Sequence, residues 1–289
     1  MLRPHFMLTL ILLIAPPALG QVNLVVSITP LRLIAEGILD GHGNTRVLVP
    51  VSGSPHHYTM TPSDRLALAS ADLILYVGEQ LETELHGVMR NLARNQQVVE
   101  LSTLPGLFRR QLEGSGTLDP HIWLDDRNGL VIAAALRDIL SERFPDRAST
   151  WQENYWRLEQ QLLADEVRWR DELDSVPGQS YAVYHDAIGY FESRFARSHS
   201  IVLLENPELQ PGIRQIMQIR KAITELRPVC LFTDVTSRQN TVDTLFDDTP
   251  VRQVQLDLLG DRLEAGAGYP QLLDNLVTDF SDCLRGDDI

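Results

Sequence analysis

The sequence has few positive charges. Its 25 lysines and arginines are outnumbered by 39 aspartates and glutamates, which gives a formal net charge of −14 at pH 7. A surface of that sign repels a phosphate backbone, so we do not expect nucleic acid as a partner. Negative charge is compatible with cation binding, but it also serves solubility and therefore decides little by itself.

Long apolar runs are absent after the first twenty residues, so no other stretch is expected to cross a membrane. Residues 1–20 combine a weakly basic start, an apolar run from 6 to 14 and a small-residue end. This arrangement is typical of a secretory signal peptide cleaved after Gly20, and an uncleaved anchor is the alternative. No cysteine follows Gly20 to carry a lipid, so we expect an exported protein with no stable membrane anchor.

Cysteine is scarce, because the chain contains only Cys230 and Cys283. Two cysteines so far apart in sequence make a poor metal site by themselves. In an oxidising compartment an even number favours one disulfide, here between a predicted strand and a helix near the C-terminus. A pair of buried thiols is the alternative that these residues leave open.

Strand-like and helix-like stretches alternate along most of the chain, which predicts parallel sheets with helices on both faces. The stretch from Ser149 to about Leu173 differs, because its apolar residues recur at helical spacing without glycine or proline. A helix of about 25 residues spans roughly 38 Å, enough to bridge two lobes, although an ordinary long surface helix is the alternative. We therefore predict an α/β protein with two lobes, each a mostly parallel sheet flanked by helices, joined by one long rigid helix. The predicted divisions are 21–146, 147–176 and 177–289.

Three histidines and one aspartate lie next to predicted strands. His56 follows a strand-like run, and His121 begins a short one after a loop. His185 and Asp257 each end a strand. Ligands of open parallel sheets bind beyond the carboxyl ends of the strands, so these side chains converge if the two lobes face each other. Three imidazole nitrogens and one carboxylate oxygen suit tetrahedral Zn²⁺, although a histidine at a strand end is more often an ordinary surface residue.

Two further residues are candidate auxiliary ligands. His57 adjoins His56, and adjacent residues in extended backbone point in opposite directions, so one of the two is expected to face away. Asp234 also ends a predicted strand and competes with Asp257 as the oxygen ligand. The remaining histidines of the exported chain are expected to be ordinary surface or hydrogen-bonded residues: His42, His86 and His199.

Six segments, taken together and in order, are specific enough to indicate a family: Ser54-Pro-His-His-Tyr58 with Thr61-Pro-Ser-Asp64, Asp119-Pro-His-Ile-Trp-Leu-Asp125, Tyr184-His-Asp-Ala-Ile-Gly-Tyr190, Asn206-Pro-Glu-Leu-Gln-Pro-Gly212, Leu231-Phe-Thr-Asp234 and Leu256-Asp-Leu-Leu-Gly260. Through them the chain resembles the solute-binding proteins of bacterial ABC importers for zinc and manganese, the cluster A-I (cluster 9) family. Within that family it is most similar to the zinc branch. The resemblance covers nearly all of the chain after the predicted signal peptide.

The resemblance implies a function and a ligand set. The family's metal ligands fall on His56, His121, His185 and Asp257, and a histidine at the third of these positions is typical of the zinc branch. The implied protein is periplasmic, is not an enzyme, and delivers Zn²⁺, its transported ligand, to an ABC permease in the membrane. We expect a monomer. The zinc branch often carries a disulfide in the C-terminal lobe at positions that match the two cysteines.

The chain departs from the family pattern in four places. It is a variant without the long histidine-rich loop of many zinc members, because residues 103–118 contain no histidine. Pro55 precedes His56 where some members have a glutamate ligand. His57 stands where the family often has aspartate, and Leu258 replaces the usual proline after Asp257, which bears on how that carboxylate is aimed.

Three alternatives stay open on the sequence. The same scaffold can bind Mn²⁺ or another transition metal. A zinc hydrolase is less favoured, because no His-Glu-x-x-His motif occurs and four protein ligands would close the coordination shell. A surface adhesin or metal scavenger is the third alternative, and the missing lipid anchor argues for a diffusible protein instead.

Overall fold

The protein consists of two α/β lobes built on the same plan. The computed structural model describes residues 21–112, 116–207, 209–247 and 249–286, so the predicted signal peptide lies outside the described residues. Each lobe contains one four-stranded sheet, and every strand pairing within the two sheets is parallel. Together with the long helix between them, this arrangement confirms the predicted fold class.

The N-terminal sheet has the strand order β2-β1-β3-β4. Its strands are β1 (Val22–Val26), β2 (Gly43–Val47), β3 (Leu73–Tyr76) and β4 (Val98–Glu100). The helices of this lobe are α1 (Thr29–Leu39), α2 (Pro62–Ser70), α3 (Thr83–Leu92) and α4 (Asp126–Arg143). The central strands β1 and β3 are apolar almost throughout because helices cover both faces of the sheet.

The C-terminal sheet repeats this order as β6-β5-β7-β8. Its strands are β5 (Tyr181–Val183), β6 (Ile201–Val202), β7 (Cys230–Thr233) and β8 (Arg252–Gln255). The helices are α6 (Gly189–Arg194), α7 (Ile213–Leu226), α8 (Gln239–Phe246) and α9 (Tyr269–Arg285). Between the lobes runs α5 (Ala148–Asp174), a helix of 27 residues. Among the described residues no helix combines the length and apolarity needed to cross a membrane.

Two predicted strands differ from the structure. The strand-like run expected before His56 is β2, Gly43–Val47, which ends nine residues before that histidine. The stretch around His121 was expected to begin a short strand, but it forms a 3-10 turn, Ile122–Leu124, that leads into α4. The three residues of this turn are all buried, and Trp123 within it donates its indole N–H to the C-terminal lobe.

One hydrophobic core runs through both lobes. Trp123 donates its indole N–H to the carbonyl of Leu258 at 2.9 Å, and Tyr269 donates its hydroxyl to the carbonyl of Trp123 at 2.6 Å. Tyr269 also packs on α4, where a Cβ added at Gly129 would lie 2.4 Å from its ring. Burying an aromatic side chain of this size contributes roughly 4–6 kcal/mol of transfer free energy before entropy is counted. These contacts fix the lobes against each other.

The predicted disulfide is confirmed. Cys230 at the start of β7 is bonded to Cys283 in α9, across a sequence separation of 53 residues. Both residues are fully buried. The crosslink therefore holds the last helix against the sheet of its own lobe, at the end of β7 opposite to the one where Asp234 follows.

Candidate metal centre

Three histidine rings, contributed by both lobes, meet beyond the carboxyl ends of the strands. One ring nitrogen from each of His56, His121 and His185 lies within 4.8 Å of the other two. The ring centroids are 5.4–6.2 Å apart. A tetrahedral zinc ion holds nitrogen ligands at about 2.0–2.1 Å from the metal, and so roughly 3.4 Å from each other. Small side-chain adjustments are therefore enough to close the three rings around one ion.

The rings line a small cavity of about 20 Å³. This volume fits a single occupant of the size of a water molecule or an ion. Asp234 reaches the same cavity, while Trp123 and Leu258 form part of its apolar wall. The centre is thus a confined site with nitrogen donors and one nearby carboxylate.

The loop after β2 presents His56. Its start continues the sheet, because the N–H groups of residues 48 and 49 donate to the carbonyls of residues 26 and 27 at 2.9 Å. Its end is fixed by Asp64, which accepts a hydrogen bond of 2.7 Å from Tyr58 and closes a capping box with Thr61 at the start of α2. Burial raises the pKa of Asp64, but the hydrogen bonds from Thr61 and Tyr58 outweigh it and lower that pKa to about 2. The carboxylate is therefore ionised at neutral pH and holds the end of the loop against the start of α2.

Asp119 orients the ring of His121. Its Oδ1 lies 2.8 Å from Nδ1 of His121 and also accepts the backbone N–H of that residue at 3.0 Å. The carboxylate is fully buried. A hydrogen bond from Nδ1–H to a carboxylate fixes the tautomer in which Nε2 carries the free lone pair, as in carboxylate–histidine–zinc arrangements. His121 is thus preset to offer Nε2 to a metal.

Asp234 plays the corresponding part for His185. Nδ1 of His185 lies 2.8 Å from Oδ2 of Asp234, an ion-pair distance without the alignment of a regular hydrogen bond. The other oxygen of Asp234 accepts from the N–H and hydroxyl of Thr236 at 2.7 and 2.6 Å. Nε2 of His185 is shielded from solvent and has no hydrogen-bond partner among the described residues. A buried nitrogen in that position is well suited to a metal ion.

The pKa shifts of His56 and His185 have opposite directions. Burial, reinforced by the neighbouring rings of His121 and His185, lowers the pKa of His56 to about 3. Burial also lowers the pKa of His185, but the Asp234 carboxylate outweighs it, so that pKa is raised. In turn, His185 lowers the pKa of Asp234 against the opposing effect of burial. Positive charges on rings this close to each other would repel.

Asp257 lies outside the three-histidine group. Its Oδ1 accepts the backbone N–H groups of Gly260 and Asp261 at 2.7 and 2.8 Å, and its Oδ2 accepts that of Arg262 at 2.8 Å. Three amide donors thus occupy both oxygens, and the turn reverses at Gly260 with φ of +83°. The carboxylate accepts from this turn and is not among the three grouped ligand atoms, so its service as a metal ligand stays a prediction.

His57 does not join the group either. Its side chain is 57% exposed, and its Nδ1 lies 3.8 Å from a carboxylate oxygen of Glu84. Of the adjacent pair, His56 is therefore the residue that turns into the cleft. Asp234, the competing oxygen ligand, reaches the cavity but is occupied by His185 and Thr236.

A second group of potential ligands lies beside the centre. Asp186, Glu192 and His199 also bring one ligand atom each within 4.8 Å of the others. Glu192 accepts the hydroxyl of Tyr181 at 2.6 Å and lies 2.9 Å from Nδ1 of His199. Burial lowers the pKa of His199, but Glu192 outweighs it and raises that pKa. Glu192 and His199 pair with each other, as expected for a hydrogen-bonded histidine, and Asp186 pairs with Arg110, so we assign no metal to this group.

Sequence reasoning missed two residues of the centre, Asp119 and Arg110. Asp119 was noted only as part of a family segment, although an aspartate two residues before a histidine is a recognisable signal for a ring-orienting carboxylate. Arg110 lies in the loop of residues 103–118 and donates to the other oxygen of Asp119 at 2.8 Å. No local pattern distinguishes it from the neighbouring Arg109.

Comparison with known proteins gives one family and a consistent set of relatives. The model of the family "Zinc-uptake complex component A periplasmic" (ZnuA) matches residues 24–283. The high-affinity zinc uptake system protein ZnuA of Yersinia pestis is 31% identical over 98% of this chain and 98% of its own length. The protein of the same name from Brucella abortus is 30% identical over 91% of each chain.

A solved structure supports the fold. The periplasmic zinc-binding protein TroA from Treponema pallidum superimposes with a TM-score of 0.79 at 23% identity. The match covers 92% of this chain and 99% of that one. The two-lobed architecture is therefore shared over essentially the whole described chain.

Proposed function

This chain belongs to the ZnuA family of periplasmic zinc-uptake components, and from that premise we propose that it captures Zn²⁺ between its lobes and delivers it to the permease of an ABC importer. The family predicted from the six sequence segments is thereby confirmed. The observation that carries the proposal is the meeting of three imidazoles in a cavity with room for one ion. The zinc-uptake names of its relatives support zinc as the transported ligand.

We assign the metal to Nε2 of His121 and Nε2 of His185 together with one ring nitrogen of His56. The carboxylates of Asp119 and Asp234 support this assignment, because each lies against Nδ1 of one histidine and leaves Nε2 for the ion. Asp257 keeps its place as the proposed oxygen ligand if one of its oxygens reaches the ion, since three amide donors leave the carboxylate a lone pair for a metal. In the geometry described, a water molecule is the simpler fourth ligand.

Three nitrogen donors favour zinc over manganese. Mn²⁺ stands at the weak end of the order of divalent-metal affinities and prefers oxygen-rich sites, whereas imidazole suits zinc well. Competition between the two ions for the purified protein tests this preference. Retention of Mn²⁺ against an equal concentration of Zn²⁺ would overturn it.

The dimensions of the centre disfavour a hydrolase. A catalytic zinc needs space beside the ion for both water and substrate, whereas the cavity holds about 20 Å³. We propose that the protein acts in the periplasm as a monomer after cleavage at Gly20. The zinc-uptake names of its relatives support the compartment and the permease partner.

The experiment that tests the function is metal titration of the purified protein by calorimetry with a competing chelator. We expect tight binding of one zinc ion, and we expect His121→Ala and His185→Ala to weaken it by about a hundredfold or more. The matched control is His86→Ala, which removes a histidine of the same lobe as His121 outside the centre. Unchanged affinity in both ligand variants would refute the site.

A further inference from the structure

We propose that Arg110 is a positioning residue that fastens the two halves of the metal centre together across the cleft. One guanidinium nitrogen of Arg110 donates to Asp119 of its own lobe at 2.8 Å, and the other donates to Asp186 of the opposite lobe at 2.8 Å. Asp119 orients His121, and Asp186 directly follows His185 in sequence. The guanidinium thus connects the carboxylate that orients His121 to the residue that follows His185. This inference rests on the proposed function.

A short hairpin carries Arg110 to this position. The backbone N–H of Asp119 donates to the carbonyl of Arg110 at 2.9 Å, and Gln111 pairs antiparallel with Leu118. Arg110 and Asp119 are therefore opposite each other at the base of the hairpin. The side chain of Arg110 is only 14% exposed, so its contact with the second lobe is a buried one.

The C-terminal lobe is shaped to receive the guanidinium. Gly189 opens α6 directly beneath it, and a Cβ built on Gly189 would lie 2.1 Å from Cζ of Arg110. The hydroxyl of Tyr190 accepts the backbone N–H of Arg110 and donates to the carbonyl of Asp119, each at 3.1 Å. The other lobe thus contacts the side chain of Arg110 through Asp186 and Gly189, and it holds the backbone at the hairpin base through Tyr190.

Charge explains why an arginine is needed here. Asp119 is fully buried and Asp186 is 12% exposed, and burying two carboxylates is costly unless a cation pairs with both. The planar fork of an arginine can donate to both at once, whereas a lysine ammonium is a point charge on a flexible stem. Loss of the guanidinium therefore frees Asp119 to move and loosens the orientation of His121.

The neighbouring arginine provides a matched control. Arg109 belongs to the same segment, but its guanidinium donates to the carbonyls of Ser102 and Leu104 within the N-terminal lobe. Arg109→Gln therefore removes the same charge from the same segment without touching the opposite lobe. Arg110→Gln and Arg109→Gln can be compared at equal net charge.

The test measures zinc dissociation from the purified protein into an excess of chromophoric chelator, together with the visible spectrum of the Co²⁺-loaded form. We expect Arg110→Gln to release zinc about tenfold faster than Arg109→Gln, and to weaken the d–d bands that report tetrahedral geometry. Arg110→Lys should recover part of the loss, since it restores the charge without the fork. Equal dissociation rates and equal spectra for the Arg110→Gln and Arg109→Gln variants would overturn the proposal.

Gly189→Ala supplies a second variant in case Arg110→Gln does not fold. The added methyl group displaces the guanidinium while leaving every charge in place, so it should reproduce the faster zinc release. Combining it with Arg110→Gln should add little, because both changes remove the same contact. A wild-type protein that bound no zinc would refute the proposed function, whereas tight binding that neither variant alters would refute the role of Arg110 alone.

Discussion

Nδ1 of His121 lies 2.8 Å from Oδ1 of Asp119, a carboxylate with no solvent-accessible surface. The two residues are separated only by Pro120, so the chain places a ring and its orienting carboxylate in one local turn. A buried carboxylate without a cation or strong donor is costly. Asp119 has two such partners, and they lie on opposite sides of it, His121 and Arg110.

Replacing Asp119 with asparagine should weaken zinc binding by about 10- to 100-fold. The neutral amide no longer favours the tautomer with Nδ1–H, and it does not stabilise the charge that the ring acquires on a metal. Competition calorimetry measures the change. Asp72→Asn is the control, because Asp72 accepts from the N–H of Asn23 at the opposite end of the N-terminal sheet, and its affinity for zinc should match that of the wild type.

The adjacent histidines should behave differently on truncation. His56→Ala should lower zinc affinity by about a hundredfold or more, since it removes a ligand from the three-ring group. His57→Ala should change it by less than about threefold, because that ring is mostly exposed and faces Glu84. The same titration serves both variants, and a larger loss from His57→Ala would reverse the assignment within this loop.

Glu82 should make folding stability depend on pH. It is fully buried and accepts the N–H groups of Val77 and Gly78 at 3.1 and 2.8 Å. Burial raises its pKa to about 7 from the ordinary 4.5, against the opposing hydrogen bonds. Because the folded state holds this proton more tightly than the unfolded chain, the resulting stability is complete below about pH 4.5 and is lost as pH rises through 7.

The magnitude of this effect follows from the size of the shift. About 2.5 pKa units correspond to roughly 3 kcal/mol between pH 4.5 and pH 8. Glu82→Gln cannot ionise, so the variant should become more stable relative to the wild type as pH rises. Urea denaturation at several pH values measures that difference. A difference that stays constant with pH would show that Glu82 titrates normally.

The disulfide should support stability without supporting zinc binding. Replacing Cys230 and Cys283 with serine should lower the unfolding free energy by about 2–4 kcal/mol, since the crosslink no longer restricts the unfolded chain. Zinc affinity should stay within about twofold of the wild type, because the bond lies at the end of β7 remote from Asp234. Denaturation and zinc titration of the double variant together test this separation. A parallel loss of both would mean that the two ends of β7 are coupled.

The general plan of the molecule could be read from the sequence because its determinants are local. Runs such as Leu73–Tyr76 identify a buried strand by composition alone, and the uninterrupted pattern that becomes α5 identifies a long helix. The ligand histidines could be named because each sits in a short segment with a recognisable neighbour, as in the Asp-Pro-His sequence that ends at His121.

What could not be read depends on local backbone geometry and on how distant segments meet. The direction of the Asp257 carboxylate is set by three backbone amides in the turn that follows it, and side-chain identity does not encode that choice. The pairing of Arg110 with Asp186 spans 76 residues and exists only when the lobes are packed. The turn at residues 122–124 resembled a strand because its three residues are all apolar, while the contact with the second lobe is absent from the local sequence.

The core that passes through both lobes limits how the protein can signal that it is loaded. Moving the lobes apart would break the Trp123–Leu258 hydrogen bond and separate Tyr269 from α4, against which it packs. We therefore expect an empty and a zinc-loaded molecule to have nearly the same overall shape. We expect a membrane partner to tell them apart at the rim of the cleft, where the loop of His56 and His57 meets solvent, and not by the angle between two hinged halves.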